Sequence, residues 1–190
     1  MLFGLLRLSE ELPTPLHWTP EEEARFLRMG SGSRAAQYRA GRWLLRRLCS
    51  EVSGHSMDEF SLNAEGAPVA GCPCGTARPF LSLAHSGDWV AATASYGPVA
   101  VDLERRGSSR DWAGLGKALD LPAPHGEEEI LNAWTLREAR IKAGAVKGLG
   151  VWRFETPDFV GCFMASHDAV PRTVYYGGGA AIPLQLRRER

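Results

Sequence analysis

The run Val99-Ala100-Val101-Asp102-Leu103-Glu104 constrains this chain more than any other segment. Val99 to Leu103 reads as a buried strand that follows a Tyr96-Gly97-Pro98 turn. Alternate residues of a strand share a face. Val99, Val101 and Leu103 therefore point one way, and Ala100, Asp102 and Glu104 the other. Two carboxylates then stand side by side at the end of an apolar strand. Left bare they repel, and one tends to hold a proton. A divalent cation that prefers oxygen ligands relieves that strain. The competing reading is a strand end running into solvent, with Arg105 and Arg106 pairing the acids.

The 190 residues suit one large domain or two small halves that share a core. Met1 to Leu8 reads as a strand. Thr19-Pro20-Glu21-Glu22-Glu23 is a helix start, with a Thr cap, Pro in the first turn and acids at the positive end of the dipole. After a Gly30–Ser33 break, Arg34 to about Glu51 forms a strong helix. Tyr38, Leu44, Leu45 and Leu48 recur on it at helical spacing, with Arg34, Arg39, Arg42, Arg46 and Arg47 among them. Phe60-Ser61-Leu62 is strand-like, and 63–79 is a Gly-, Pro- and Cys-containing loop. Strands follow at Phe80–Ala84 and Trp89–Ser95. Beyond Leu103 come a short helix at 111–119, a long helix from Glu127 to about Val146, and strands near 151–155, 159–165, 172–176 and 182–186. Strand, short helix, long helix and strands thus occur once before Gly97 and again after it. This order predicts an α+β fold of two similar halves, residues 1–97 and 98–190.

Composition narrows the function classes. Lys and Arg together balance Asp and Glu, so the net charge is zero. No global field draws the chain to nucleic acid or a membrane surface. No stretch is long and apolar enough to span a bilayer. The opening apolar residues are too short for a signal peptide. The four cysteines lack the spacing of a disulfide framework, and Cys72-Pro73-Cys74 has no second Cys/His pair near it. A reduced, cytoplasmic protein is expected. Only three residues are lysine, Lys117, Lys142 and Lys147, against nineteen arginines.

Three further motifs carry candidate chemistry. In Trp134-Thr135-Leu136-Arg137-Glu138-Ala139-Arg140-Ile141-Lys142-Ala143, Glu138 and Lys142 are four apart. They read either as a surface ion pair or as a carboxylate and an ammonium aimed at a metal site. Trp134, Ala139 and Ala143 suit a helix packed on a sheet. The turn His85-Ser86-Gly87-Asp88 offers an imidazole, a hydroxyl and a Gly-permitted bend. It reads as a phosphate-receiving turn or a plain hairpin. It is not G-x-S-x-G, so Ser86 is not read as a hydrolase nucleophile. On the basic helix, Arg34, Arg42 and Arg46 fall near one face, as a phosphate site or as a solvated surface.

Taken in order, the basic helix, A-H-S-G, V-D-L-E and W-T-L-R-E-A-R-I-K-A resemble the 4′-phosphopantetheinyl transferases. The likeness is to the larger, monomeric, surfactin-synthetase-activating type, from about Arg34 to Gly150. It implies two α+β halves related by a pseudo-twofold axis, with coenzyme A in the cleft between them. It implies Mg²⁺, with Mn²⁺ as an alternative, on Asp102, Glu104 and Glu138. Glu138 is also the expected base. Lys142 is placed near the pyrophosphate and His85 on a coenzyme A phosphate. Arg46 is placed at the 3′-phosphate, with Arg39 and Arg42 as companions. Ala84 stands where many members have serine, and Gly66-Ala67-Pro68 where many have G-K-P. Arg78 is a candidate for the missing charge.

The implied reaction is attack by a serine of an acyl or peptidyl carrier protein on coenzyme A, releasing 3′,5′-ADP. Arg105, Arg106 and Arg110 are candidate contacts for an acidic carrier. Two other readings compete: a Mg²⁺-dependent phosphohydrolase, and a non-catalytic relative that binds coenzyme A or a carrier.

Overall fold

The structure is a computed structural model. It describes all residues except 9–11, 13–15, 65, 72–74, 76–77, 108, 123–124, 170, 177–183 and 190, and also omits the side chains of 174–176 and 185. Cys72 and Cys74 therefore lie outside the described residues. So does the first part of the strand expected at 182–186.

The chain is mixed α+β, with two four-stranded sheets and four α-helices among the described residues. β1 (Leu2–Arg7), β4 (Phe80–Ser86), β5 (Trp89–Ser95) and β9 (Arg172–Tyr176) form one sheet in the order β4-β5-β1-β9. β6 (Val99–Arg105), β7 (Leu149–Glu155), β8 (Phe159–Ser166) and β10 (Gln185–Arg188) form the other, in the order β10-β7-β8-β6. β2 (Ser61–Leu62) falls where a strand is expected and pairs with β3 (Ala70–Gly71), a short strand inside the expected 63–79 loop. β9 runs parallel to β1 and belongs to the first sheet. A division at 97/98 therefore does not separate the sheets, because one strand of the second half crosses back.

Strand alternation explains how both faces of each sheet are buried. Phe3 and Leu5 of β1 join Val99, Val101 and Leu103 of β6 and Phe159 and Phe163 of β8 in a core between the two sheets. The rings of Phe3 and Phe163 stack across it at 5.2 Å. On the opposite face of the first sheet, Leu2, Leu6, Val90 and Ala92 meet Trp43, Leu44, Leu45 and Leu48 of α2 (Ser33–Ser53). Opposite the core on the second sheet, Ala100, Cys162 and Met164 meet Ala139 of α4 (Glu127–Ala143). Burying each large apolar side chain contributes roughly 1.5–3 kcal/mol. α4 stops at Gly144, whose φ of 65° suits glycine, rather than running on to Val146.

The two sheets meet along β4 and β6 without a continuous backbone ladder. Serine hydroxyls join them instead. Ser82 Oγ accepts from the Val101 N–H at 3.0 Å, and Ser86 Oγ from the Arg105 N–H at 3.0 Å. Both numbers advance by four, so the strands run in the same direction at this seam. α2 closes over β4 because Gly41 has no Cβ, which would meet Leu83 Cδ2 at 2.8 Å.

α1 (Pro20–Arg28) begins as expected. Thr19 Oγ1 accepts from the Glu22 N–H at 3.3 Å, and Glu22 Oε2 accepts from the Thr19 N–H at 3.0 Å. Glu22 does more than cap, because it is fully buried and faces α2. Arg46 Nη1 and Nη2 donate to its two oxygens at 3.0 and 2.5 Å, and Arg42 Nε lies 3.5 Å from Oε1. Arg46 Nε also donates to the Phe60 carbonyl at 3.1 Å. Arg46 is 1% exposed. Its charge is spent inside the first half, which corrects its expected placement at a phosphate.

Removing Arg46 takes away both direct donors to Glu22 and leaves the buried carboxylate with only Arg42, 3.5 Å away, as a counter-ion. Arg46→Ala is expected to destabilise the fold by about 3–5 kcal/mol. Urea unfolding monitored by tryptophan fluorescence measures this. A loss near zero would show that Arg42 alone neutralises Glu22.

Candidate functional site

A cleft of about 360 Å³ opens on the outer face of β4. α1 supplies Arg25, Met29 follows at its C-terminal cap, and α2 supplies Arg34, Gln37, Tyr38 and Arg42. Gly66-Ala67-Pro68 forms one wall, Leu81 to His85 the floor, and Lys142 of α4 the far end. An open hollow of about 540 Å³ adjoins it, lined by Arg25, Arg28, Met29, Arg34 and Gly66. No acidic side chain lines either space among the described residues. In a chain of zero net charge this is a concentrated positive field, suited to a polyanion.

The guanidinium groups are partly fixed. Arg25 and Arg42 flank the Tyr38 ring, with Cζ 5.3 and 4.9 Å from its centroid, and Trp18 stacks on the ring at 5.8 Å. Arg25 donates to the Ala64 carbonyl, and Arg42 to the Asn63 carbonyl at 2.5 Å. These bonds hold the backbone that leads into Gly66–Pro68 over the cleft. Arg34 is exposed at the cleft mouth.

β4 runs through Ser86, so His85 and Ser86 are strand residues. Ser86 pairs with Trp89 across a two-residue Gly87-Asp88 turn, with Gly87 at φ 56°. Glycine first in a two-residue hairpin loop is the favoured chemistry of such turns. Gln37 Nε2 donates to the Gly87 carbonyl at 2.9 Å and ties the turn to α2. The segment is thus a hairpin, and His85 lines the cleft from its strand. Burial lowers the proton affinity of His85, and the cations Lys142 and Arg34 lower it further against the opposing charge of Glu104. The imidazole is thereby biased toward its neutral form.

Lys142 does not pair with Glu138 on its own helix. Its ammonium crosses the seam and donates to the Leu83 carbonyl at 3.2 Å, the Val101 carbonyl at 3.0 Å and Asp102 Oδ1 at 2.7 Å. The reading of Glu138 and Lys142 as a surface ion pair is thereby replaced. Asp102 points away from the inter-sheet core, as the strand alternation requires. It is 7% exposed, and its Oδ2 is buried without a hydrogen-bond partner. Burial pushes its carboxyl up to about 6. Lys142 opposes that rise, and the charges of Glu104 and Glu138 add to it. Glu104 and Glu138 therefore both lie within electrostatic reach of Asp102.

Glu104 is held differently. Its Oε2 accepts from Ser86 Oγ at 2.9 Å and from Arg110 Nη2 at 2.6 Å. Arg110, rather than Arg105 or Arg106, is its cationic partner. Arg106 pairs with Glu155 at 3.1 Å and Glu128 at 3.4 Å. Glu138 is half-buried and makes no hydrogen bond or ion pair among the described residues.

Among the described residues, no three His, Cys, Asp or Glu side chains are drawn together as a metal-holding group. The expected convergence of Asp102, Glu104 and Glu138 is therefore electrostatic and not a closed ligand cage. An ammonium stands against Asp102, and a guanidinium with a hydroxyl stands against Glu104. The donors themselves fit a hard divalent cation, because they are carboxylate oxygens and Asp102 Oδ2 is buried and unpartnered.

Of the expected site residues, His85, Arg42 and Lys142 meet in the cleft, and Asp102 touches it through Lys142. Arg39 is exposed and lines no part of it, and Arg46 is sealed away. Arg78 is exposed and is not in the wall. Arg25 and Arg28 are cleft residues that sequence reasoning passed over. Their signal was a pair of arginines one turn apart at the end of α1. The chain matches no protein-family model, and no curated protein is significantly similar to it.

The raised Asp102 carboxyl gives a signed pH dependence. The folded state holds this proton more tightly than the unfolded chain, so its ionisation reduces stability as pH rises from about 4 to about 6. With divalent ions chelated, Asp102→Asn should equal the wild type near the acid end of that window. Above it the variant should be the more stable by roughly 3 kcal/mol. Denaturant unfolding of both proteins across this range checks the trend. A constant difference at every pH would contradict it.

Proposed function

We propose that this protein is a 4′-phosphopantetheinyl transferase that moves the arm of coenzyme A onto a serine of a carrier protein. One observation carries the reading. Lys142 links a buried carboxylate, Asp102, to a cleft whose charged wall residues, among the described residues, are all basic. Such a site receives a polyanion and sets a phosphoryl centre beside acids that can hold a cation and accept a proton. The two sheets, each carrying one long helix, α2 or α4, accord with two α+β halves about a pseudo-twofold axis.

The residues divide the work. Arg25, Arg28 and Arg34 bind the 3′-phosphate, the most distal charge of coenzyme A, in the open hollow. Gly66–Pro68 has no lysine, and these arginines supply the charge on that side. His85 and Lys142 face the pyrophosphate. Asp102, Glu104 and Glu138 would hold Mg²⁺ or Mn²⁺. Such an ion, when bound, neutralises charge on the phosphates during transfer. Glu138, which has no hydrogen-bond or ion-pair partner among the described residues, takes the proton of the attacking serine hydroxyl. The serine oxygen forms its bond to the phosphorus next to the pantetheine arm, and the bond from that phosphorus to the bridging oxygen breaks. The electron pair leaves on 3′,5′-ADP, whose terminal phosphate Lys142 stabilises. Positioning and charge neutralisation are the main needs of phosphoryl transfer.

Intact-mass measurement of acyl and peptidyl carriers, after incubation with coenzyme A and magnesium, tests the function. The expected result is gain of one phosphopantetheine arm on a carrier serine, and its loss with Asp102→Ala. Phosphate release from small substrates with no carrier modified would favour a phosphohydrolase instead. Tight coenzyme A binding without either reaction would favour a non-catalytic relative.

Arg34→Ala separates the phosphate contacts. It is expected to weaken coenzyme A about 10-fold or more, as loss of a charge-assisted hydrogen bond does, and dephospho-coenzyme A much less. Calorimetric titration of both ligands measures the ratio. Equal weakening would remove Arg34 from the 3′-phosphate.

A further inference from the structure

We propose that Ser86 is a positioning residue for the carboxylate site, orienting Glu104 so that Oε1 is left to take a divalent cation. The inference rests on reading Asp102, Glu104 and Glu138 as the cation ligands.

A serine hydroxyl has one proton and accepts through its lone pairs. Ser86 Oγ accepts from the Arg105 N–H at 3.0 Å, and this backbone bond fixes where the hydroxyl points. Its single proton then goes to Glu104 Oε2 at 2.9 Å. Arg110 Nη2 donates to the same oxygen at 2.6 Å. Both donors fall on Oε2, and Oε1 has no hydrogen-bond partner among the described residues. The single Ser86 proton is therefore committed to Glu104 and is not available to donate to a phosphate.

The support behind Ser86 is stiff. Ser86 closes the β4–β5 hairpin opposite Trp89, and Gln37 of α2 grips the adjoining Gly87 carbonyl at 2.9 Å. Arg110 stands between β6 and α3 (Trp112–Ala118) and reaches Glu104 through a long side chain. Without the hydroxyl, Glu104 would be held by that flexible arm alone. Outer-shell hydrogen bonds of this kind fix the orientation of metal ligands and raise affinity.

The test is Mn²⁺ affinity, read by electron paramagnetic resonance of the free ion with no coenzyme A present, beside thermal unfolding of each variant. Ser86→Ala is expected to weaken Mn²⁺ binding about 10-fold, and Ser86→Thr, which keeps the hydroxyl, to restore most of it. Should the alanine variant fail to fold, Ser86→Cys carries the test, because its weak S–H donor should shift affinity in the same direction. A purely structural serine would lower the unfolding temperature and leave Mn²⁺ affinity in place, and that result would overturn the inference. So would a threonine variant that is folded yet as weak as alanine, or a wild type that takes no Mn²⁺. Loss of Mn²⁺ in Ser86→Ala, in a protein that modifies no carrier, would uphold Ser86 and sink the transferase reading alone.

Discussion

The Lys142 ammonium stands where two sheets, one helix and one cleft meet. It satisfies carbonyls on β4 and β6 that no backbone ladder pairs, and it balances a carboxylate buried beside them. An ammonium carries three donors, and here all three are used. The seam is thus built from side chains: the serine hydroxyls at 82 and 86 and this one cation. A backbone ladder would have closed the gap between the strands. Side chains can rearrange when a ligand competes for them, so the seam can serve as both joint and site.

Charge is sorted across this joint. The cleft side collects Arg25, Arg28, Arg34 and Arg42, and the α4 side collects Asp102, Glu104 and Glu138. The zero net charge of the chain hides this separation. Burial sharpens it, because a desolvated Asp102 gives up its proton reluctantly even with Lys142 in contact. A divalent ion arriving with a polyanion would relieve both the acids and the arginines, which couples the two ligands without any change of fold.

Much of this was legible in the sequence because alternation and capping are local. The faces of Val99–Glu104 follow from strand geometry, and the Thr19 cap from residue type, and both stand in the structure. Long-range pairing was not legible. Helical spacing puts Arg42 and Arg46 together, but nothing in it says that a glutamate from the preceding helix turns inward to meet them. The same holds for Lys142: four-residue spacing points to Glu138, while the folded chain offers a buried Asp102 with an unmet charge. Strand β9 returning to β1 is likewise a matter of topology that element order cannot show. Arg25 and Arg28 were missed because arginines at a helix end already have a sufficient local reason in the helix dipole.

The central claim is that the Lys142–Asp102 junction is where a cation and a coenzyme A diphosphate meet. A crystal grown with coenzyme A and Mn²⁺, with anomalous data at the manganese edge, addresses it directly. The account predicts an anomalous peak bonded to Asp102, a diphosphate against Lys142, and the 3′-phosphate among Arg25, Arg28 and Arg34. Ordered coenzyme A lying outside the cleft, or bound within it with no ion touching Asp102, would contradict it.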